Sequence, residues 1–294
     1  MTSSSQKRGL AREFVALVKP RITVLSVATC AAGLWLAPAT SGDGGGPPAL
    51  LATLTLLGTL FLVGAANTLN MYIERDVDGL MERTKNRPLP AGRLAPRTAL
   101  SFGLVQAALA LPLLGFGANL LTCLLGALAL FLYVLVYTPL KRRSTVSLLV
   151  GAVPGAMPPL LGWTAATGSV SVPALALFFV IFFWQVPHFI AIAFFRREDY
   201  VRAGIKILPV ERGDDFSHRM IVQYLVYQVA VTLLLVPLGL GGTLYLVGAV
   251  LLGAAMLALG IYGLFIPATT RWARGLFLAS IAYLPLLFGL LVSS

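Results

Sequence analysis

The sequence predicts an all-α integral membrane protein of nine transmembrane helices, with its amino terminus in the cytoplasm and its carboxyl terminus outside. Three observations carry that prediction. The chain is 58% hydrophobic and only 11% charged, whereas a soluble domain carries about 25% charged residues. Its 294 residues resolve into apolar runs long enough to cross a bilayer, which takes about 20 residues each. All 22 Lys and Arg residues fall in alternate loops, as the positive-inside rule requires. Secreted domains, coiled coils and disordered tails are excluded. The net charge of +11 follows from topology. No basic helix interleaved with stacking aromatics points to nucleic acid.

Taken in order, residues 1–21 form a polar, basic cytoplasmic tail carrying Lys7, Arg8, Arg12, Lys19 and Arg21. No small-residue cleavage site follows it, so it does not read as a removable signal peptide. One membrane domain, 22–292, then holds spans at roughly 22–38, 48–73, 97–115, 119–138, 146–165, 172–195, 219–238, 242–264 and 274–292. The loops after spans two and six, about 74–97 and 196–219, are long and carry most of the carboxylates. The alternate loops are short and free of Lys and Arg, and Asp43 is the one acid placed outside. Function is therefore expected at the cytoplasmic face. Four spans separate the two long loops, which hints at an internal repeat without residue-level self-similarity. Cys30 and Cys123 both lie in apolar stretches and have neither zinc nor disulfide spacing.

The first acidic segment places Asn70, Glu74 and Asp78 at i, i+4 and i+8, one stripe of a helix; Asp76 faces elsewhere. Hard oxygen donors of this kind suit Mg²⁺, which takes one or two carboxylates and completes its shell with substrate phosphate. Arg83, Lys85 and Arg87 follow as donors for phosphate oxygens. The same residues also fit a solvated loop obeying the positive-inside rule, or an ion path. In the second segment Asp199 stands with Arg202 and Lys206, either as the other half of a diphosphate clamp or as a helix-ending ion pair. Tyr137 and Lys141 close span four, where an aromatic-belt anchor is the ordinary reading.

His188 differs from these, lying ~16 Å deeper than Asp199 along a helix, inside an apolar span. Pro187 before it removes a backbone donor and is expected to open the helix locally. An ionisable ring at that depth has a partner or a site: an interhelical hydrogen bond, or a ligand role, since imidazole is a common iron ligand.

Asn70-xxx-Glu74-xxx-Asp78, Tyr137-xxx-Lys141 and the Asp199-Tyr200 loop resemble the signatures of the UbiA superfamily of intramembrane prenyltransferases. LVKPRIT at 17–23, ERTKNRPLPAGR at 82–93, GAVPGAMPPLLGW at 151–163 and WQVPHF at 184–189 resemble its haem-farnesylating branch, the protoheme IX farnesyltransferases or haem O synthases. The resemblance spans roughly 14–292. It implies nine helices around a central cavity, capped at the cytoplasmic mouth by two acid-rich loops, in a bacterial cytoplasmic (inner) membrane. It further implies Mg²⁺ as cofactor, farnesyl diphosphate and haem B as substrates, and farnesyl transfer to a haem vinyl with addition of water to give haem O. Haem A synthase and terminal-oxidase assembly factors are the protein partners it suggests.

Carried over residue by residue, Asn70, Glu74, Asp78 and Asp199 would be metal ligands, and Tyr137 and Lys141 would steady the diphosphate. Arg83, Lys85, Arg87, Arg202 and Lys206 would neutralise it, while His188 and Trp184 would bind haem. The chain departs from the superfamily pattern at Glu74, where Asp is usual, and at Ala203, where a second acid is usual. Two other functions compete with this one. An aromatic prenyltransferase acting on a 4-hydroxybenzoate-like acceptor would share the diphosphate site but would not need His188. A transporter would carry ionisable residues deep in several spans.

Overall fold

The computed structural model describes residues 3–38 and 46–293; Asp43, the acid expected outside, lies outside the described residues. The chain folds into helices alone among those residues. They are α1 (Ser3–Leu17), α2 (Pro20–Leu36), α3 (Ala49–Ile73), α4 (Arg75–Asp78), α5 (Pro96–Gly117), α6 (Leu120–Phe131), α7 (Thr138–Leu140) and α8 (Ser147–Thr167). They continue with α9 (Val172–Phe195), α10 (Arg197–Arg202), α11 (Leu208–Glu211), α12 (Asp214–Leu234), α13 (Thr243–Tyr262) and α14 (Thr270–Val292). A π-helical segment, Leu132–Tyr137, joins α6 to α7.

Seven helices are long and apolar enough to cross a membrane, and the bent pair Gly9–Leu17 and Pro20–Leu36, kinked by 51°, makes an eighth when counted as one span. The span expected at 219–238 corresponds to α12, which is more polar. His218, Arg219, Gln223 and Gln228 interrupt its apolar sequence. It also begins earlier than expected, at Asp214. Acids in a first helical turn favour the positive end of the helix dipole, and Asp214 is in addition paired with Arg197. Within residues 1–21, α1 runs from Ser3 to Leu17.

Lipid-facing and protein-facing surfaces separate cleanly. Leu104, Val105, Phe131, Leu251 and Leu278 are exposed apolar side chains on the long helices. Without water to drive them together, membrane helices pack through small residues that let backbones approach. That is what holds α2 on α8. A Cβ at Gly33 would lie 2.0 Å from the Pro159 carbonyl oxygen, and one at Gly162 would lie 2.0 Å from that of Cys30. Pro187 does not open α9, which stays helical from Val172 to Phe195. It is clamped against α8, α12 and α14, and packing on several sides holds a proline-containing membrane helix together.

The suspected repeat is visible as architecture. α3 and α9 each end at one non-helical residue, Glu74 (φ −90°, ψ 6°) and Arg196 (φ −117°, ψ 18°), and each is followed by a short helix carrying a buried aspartate. Both short helices lie at the same end of the bundle, where their loops meet.

Candidate active site

Asn70 is the hub of the first cluster. It is buried in the last turn of α3, and both amide hydrogens are committed: one to Glu74 Oε2 at 2.9 Å, one to Thr138 Oγ1 at 3.0 Å. Its Oδ1 accepts from Lys19 Nζ at 3.1 Å. Glu74 Oε1 lies 2.5 Å from Lys141 Nζ, and that ammonium sits 4.6 Å from the centre of the Tyr137 ring. Asp78, only 1% exposed, is held by Arg87 Nη1 at 2.6 Å. Asp76 points into solvent as its position on the helix predicted. The stripe Asn70–Glu74–Asp78 does not run on one unbroken helix, because the break at Glu74 turns α4 aside. Glu74 nonetheless keeps its backbone bond to Asn70 O at 2.9 Å.

Tyr137 and Thr138 owe their position to the π-helical segment. Pro139 has no N–H and its ring crowds the carbonyl four residues back. The helix widens to accommodate it, and such π-bulges cluster at functional sites. Thr138 N–H reaches back five residues to Tyr133 O, and Thr138 Oγ1 donates to the same carbonyl at 2.8 Å.

The second cluster joins the first through Asp199, whose Oδ1 accepts the Glu82 backbone N–H at 3.2 Å. Arg202 bridges the loops more loosely, 3.7 Å from Asp199 and 3.8 Å from Glu82. Lys206 donates its backbone N–H to Lys141 O at 2.9 Å, while its Nζ bonds Glu211 at 2.9 Å. Among the diphosphate candidates, Arg87, Lys141, Arg202 and Lys206 are thus brought to the meeting of the loops. Lys85 is paired with Glu82 at 2.6 Å on an exposed face, and Arg83 is exposed on the same loop.

Lys19 is the site residue that reading the sequence missed. It lies in the break between α1 and α2, in the left-handed conformation (φ 49°, ψ 70°). That conformation is strained for a lysine before proline, and strain of this kind, costing about 1–3 kcal/mol, persists where the surroundings over-determine it. Here Thr23 Oγ1 and Asn67 Nδ2 both donate to the preceding carbonyl, Val18 O, at 2.6 and 3.2 Å. Burial, with Arg87 and Lys141 as neighbouring cations, pushes the Lys19 ammonium down to about 7. The loop distribution of charge assigns this lysine to topology, although the LVKPRIT motif contains it.

Beneath the cluster is an apolar cavity lined by Ile22, Leu62, Val63, Tyr133, Pro158 and Leu161. A second cleft, between Tyr137, Lys141, Tyr200 and Lys206 above and Leu148 and Phe189 below, opens beside it. His188 lies deeper and is brought against Trp184, with ring centroids 4.8 Å apart and nearly parallel. Phe277 of α14 packs against it at 4.8 Å, tilted by 34°. Its Nδ1 lies 2.7 Å from Ser280 Oγ, and Ser280 donates its one hydroxyl proton to Phe277 O at 2.6 Å. The imidazole must then carry its proton on Nδ1, which leaves the Nε2 lone pair free. Trp184 is anchored on the same residue, Nε1 to Ser280 O at 2.8 Å.

The donor set fits Mg²⁺ in one particular way. No three or more His, Cys, Asp or Glu side chains converge among the described residues. The oxygens of Asn70, Glu74, Asp78 and Asp199 are instead spread round a mouth and matched by cations. Such a set would hold Mg²⁺ only through one or two carboxylates, with substrate oxygens completing its shell.

Comparison with known proteins agrees with this geometry. The profile of the UbiA prenyltransferase family matches residues 26–281. A protein of Sorangium cellulosum (strain So ce56) named protoheme IX farnesyltransferase is 53% identical over 276 residues, covering 90% of this chain and 98% of that one. A protein of the same name from Myxococcus xanthus (strain DK1622) is 50% identical over 282 residues, covering 96% and 94%. Among solved structures, a digeranylgeranylglyceryl phosphate synthase superposes with a TM-score of 0.80 at 17% identity, over 96% of this chain and 97% of that one. A UbiA homologue from Archaeoglobus fulgidus bound to GPP and Mg²⁺ superposes with a TM-score of 0.64 at 18% identity, over 96% and 100%. Fold, paired acid-bearing loops and near-full-length sequence likeness agree: the chain belongs to the UbiA prenyltransferase family.

Proposed function

We propose that this protein transfers the farnesyl group of farnesyl diphosphate to a vinyl group of haem B, with addition of water, giving haem O. One observation carries the choice of substrates: 53% identity along nearly the whole chain to a protein named for that reaction. The geometry supports the chemistry. Nine spans, with α2 and α12 completing the count, would place the loops 74–97 and 196–219 on the cytoplasmic side of a bacterial inner membrane, as the Lys and Arg distribution requires.

Diphosphate binds where the two loops meet, against Lys141, Arg87, Arg202 and Lys19, with Tyr137 fixing the Lys141 ammonium. Mg²⁺ held by one or two carboxylates drawn from Glu74, Asp78 and Asp199, with Asn70 as a neutral oxygen donor, would supply Lewis-acid charge to the leaving diphosphate. The basic side chains stabilise the negative charge that grows on that group as the farnesyl C1–O bond breaks. The farnesyl tail lies in the apolar cavity below, which excludes water from the allylic cation. The Tyr133 ring, lining that cavity at its upper end, stabilises the cation through its π-face. The haem vinyl attacks farnesyl C1, and the carbocation left beside the porphyrin is captured by water, which loses a proton to give the hydroxyl. His188 orients haem through the free Nε2, and Trp184 packs on the imidazole.

The test is incubation of purified full-length protein with haem B, farnesyl diphosphate and Mg²⁺, with products resolved by mass. A pigment heavier than haem B by farnesyl plus water, lost with EDTA and in Asp78→Ala, is the expected result. An unaltered haem B in the presence of folded protein would overturn the proposal.

A further inference from the structure

We infer that haem docks along the α9–α14 seam, with its propionates held at the cytoplasmic mouth by Arg196 and Arg274. The inference rests on the proposed haem reading of His188 and extends it to residues outside the diphosphate site.

The seam carries a continuous ladder. Arg196 and Arg274 place their guanidinium carbons 5.8 and 5.9 Å from the centre of the Phe195 ring. Phe195 meets Phe277 edge-on at 5.4 Å, and Phe277 and Trp184 each pack against His188 at 4.8 Å. A flat tetrapyrrole with two carboxylates on one edge and a metal at its centre needs three things: an aromatic wall, paired cations at one end, and a nitrogen lone pair partway down. The ladder offers all three, with the cations at its cytoplasmic end and the nitrogen furthest down. His188 lies ~12 Å below Arg196 by helical rise, a span that a tetrapyrrole held at its centre and an extended arginine side chain cover together.

The arginines are available for that role. Arg274 makes no ion pair among the described residues. Arg196 has only a loose one, 3.8 Å from Asp199. Both line a polar hollow that also touches Asp199 and Glu82, so the dicarboxylate end of haem would sit beside the diphosphate site. Arginine suits the position because its planar guanidinium can stack on Phe195 while donating to a carboxylate in its own plane.

The test is a titration of metal-stripped, full-length protein in detergent with haem B and with its dimethyl ester, followed by the Soret band and tryptophan quenching. For the Arg196→Gln/Arg274→Gln double variant, the haem B Kd is expected to rise about tenfold or more, the scale of one lost charged hydrogen bond. Ester binding should match that of native protein, which shows that the variant is folded. Native protein should bind the ester about as weakly as the variant binds haem B, and Arg274→Lys should recover part of the loss. The inference is overturned if the double variant binds haem B like native protein, if native protein does not distinguish acid from ester, or if the variant loses both ligands equally. It is also overturned if the variant instead loses only bound anionic phospholipid. His188→Ala separates the two readings. It should change the Soret band with haem B and with the ester alike, and an unchanged band alongside an intact arginine effect would remove His188 as ligand and leave the propionate anchors standing.

Discussion

Replacing Arg87 with alanine isolates the most deeply buried charge in the site. Asp78 is 1% exposed, and the Arg87 guanidinium lies 2.6 Å from its carboxylate. At that distance and an effective dielectric of about 20, the gross attraction is about 6 kcal/mol. Desolvation offsets much of it, but removing one partner leaves the other buried and uncompensated, a loss of about 3–5 kcal/mol. The Arg87 side chain is 23% exposed, so water reaches the vacated site and the expected cost falls near the lower end, about 3 kcal/mol. The assay is denaturant unfolding of the purified protein without metal, for Arg87→Ala, Asp78→Asn and the double variant. The double variant should lose less than the sum of the singles, with a coupling of about 2 kcal/mol or more. Strict additivity, or a loss under about 0.5 kcal/mol for Arg87→Ala, an ordinary surface value, would refute the reasoning.

Lys19 predicts a pH dependence. Its ammonium titrates at about 7 in the fold against 10.5 in an unfolded chain, so between those values the unfolded state holds more protons and stability rises with pH. Below about 7 both states are protonated and the burial penalty is at its full extent. Unfolding midpoints of native protein and Lys19→Met, compared at pH 7 and pH 9, should show the variant with the flatter slope; equal slopes contradict the assignment. Ser280→Ala removes the acceptor that sets the His188 tautomer. Outer-shell changes of this kind typically cost about 10–100-fold in affinity for the metal, so haem B binding measured by Soret titration should weaken accordingly. Affinity equal to native protein would show that Ser280 does not set the ligand.

Much of this was legible in the sequence. α9 and α14 are predominantly apolar runs, and the four proposed oxygen ligands, Asn70, Glu74, Asp78 and Asp199, stand on the motifs that carry the resemblance. What the sequence concealed has physical causes. The π-helical segment before Pro139 depends on a helix able to widen within the bundle. Pro187 reads as a breaker but is overruled by packing on several sides of α9. The start of α12 reads late in the sequence because Asp214 and Asp215 look like loop residues, and only the fold gives them their first-turn position and Asp214 its Arg197 partner. Lys19 was hidden because its role depends on a hydrogen bond to Asn70, 51 positions away. The joining of the two loops is likewise one backbone contact, Glu82 to Asp199, across 117 positions.

The most direct measurement of the central claim gives the purified protein haem B and 4-hydroxybenzoate together, with limiting farnesyl diphosphate and Mg²⁺ in ¹⁸O-labelled water. The account predicts farnesyl on haem alone, in a product whose mass carries the label as one added hydroxyl, with the phenolic acid untouched. Farnesyl on 4-hydroxybenzoate with haem B unchanged would keep the fold and the diphosphate site and contradict the acceptor.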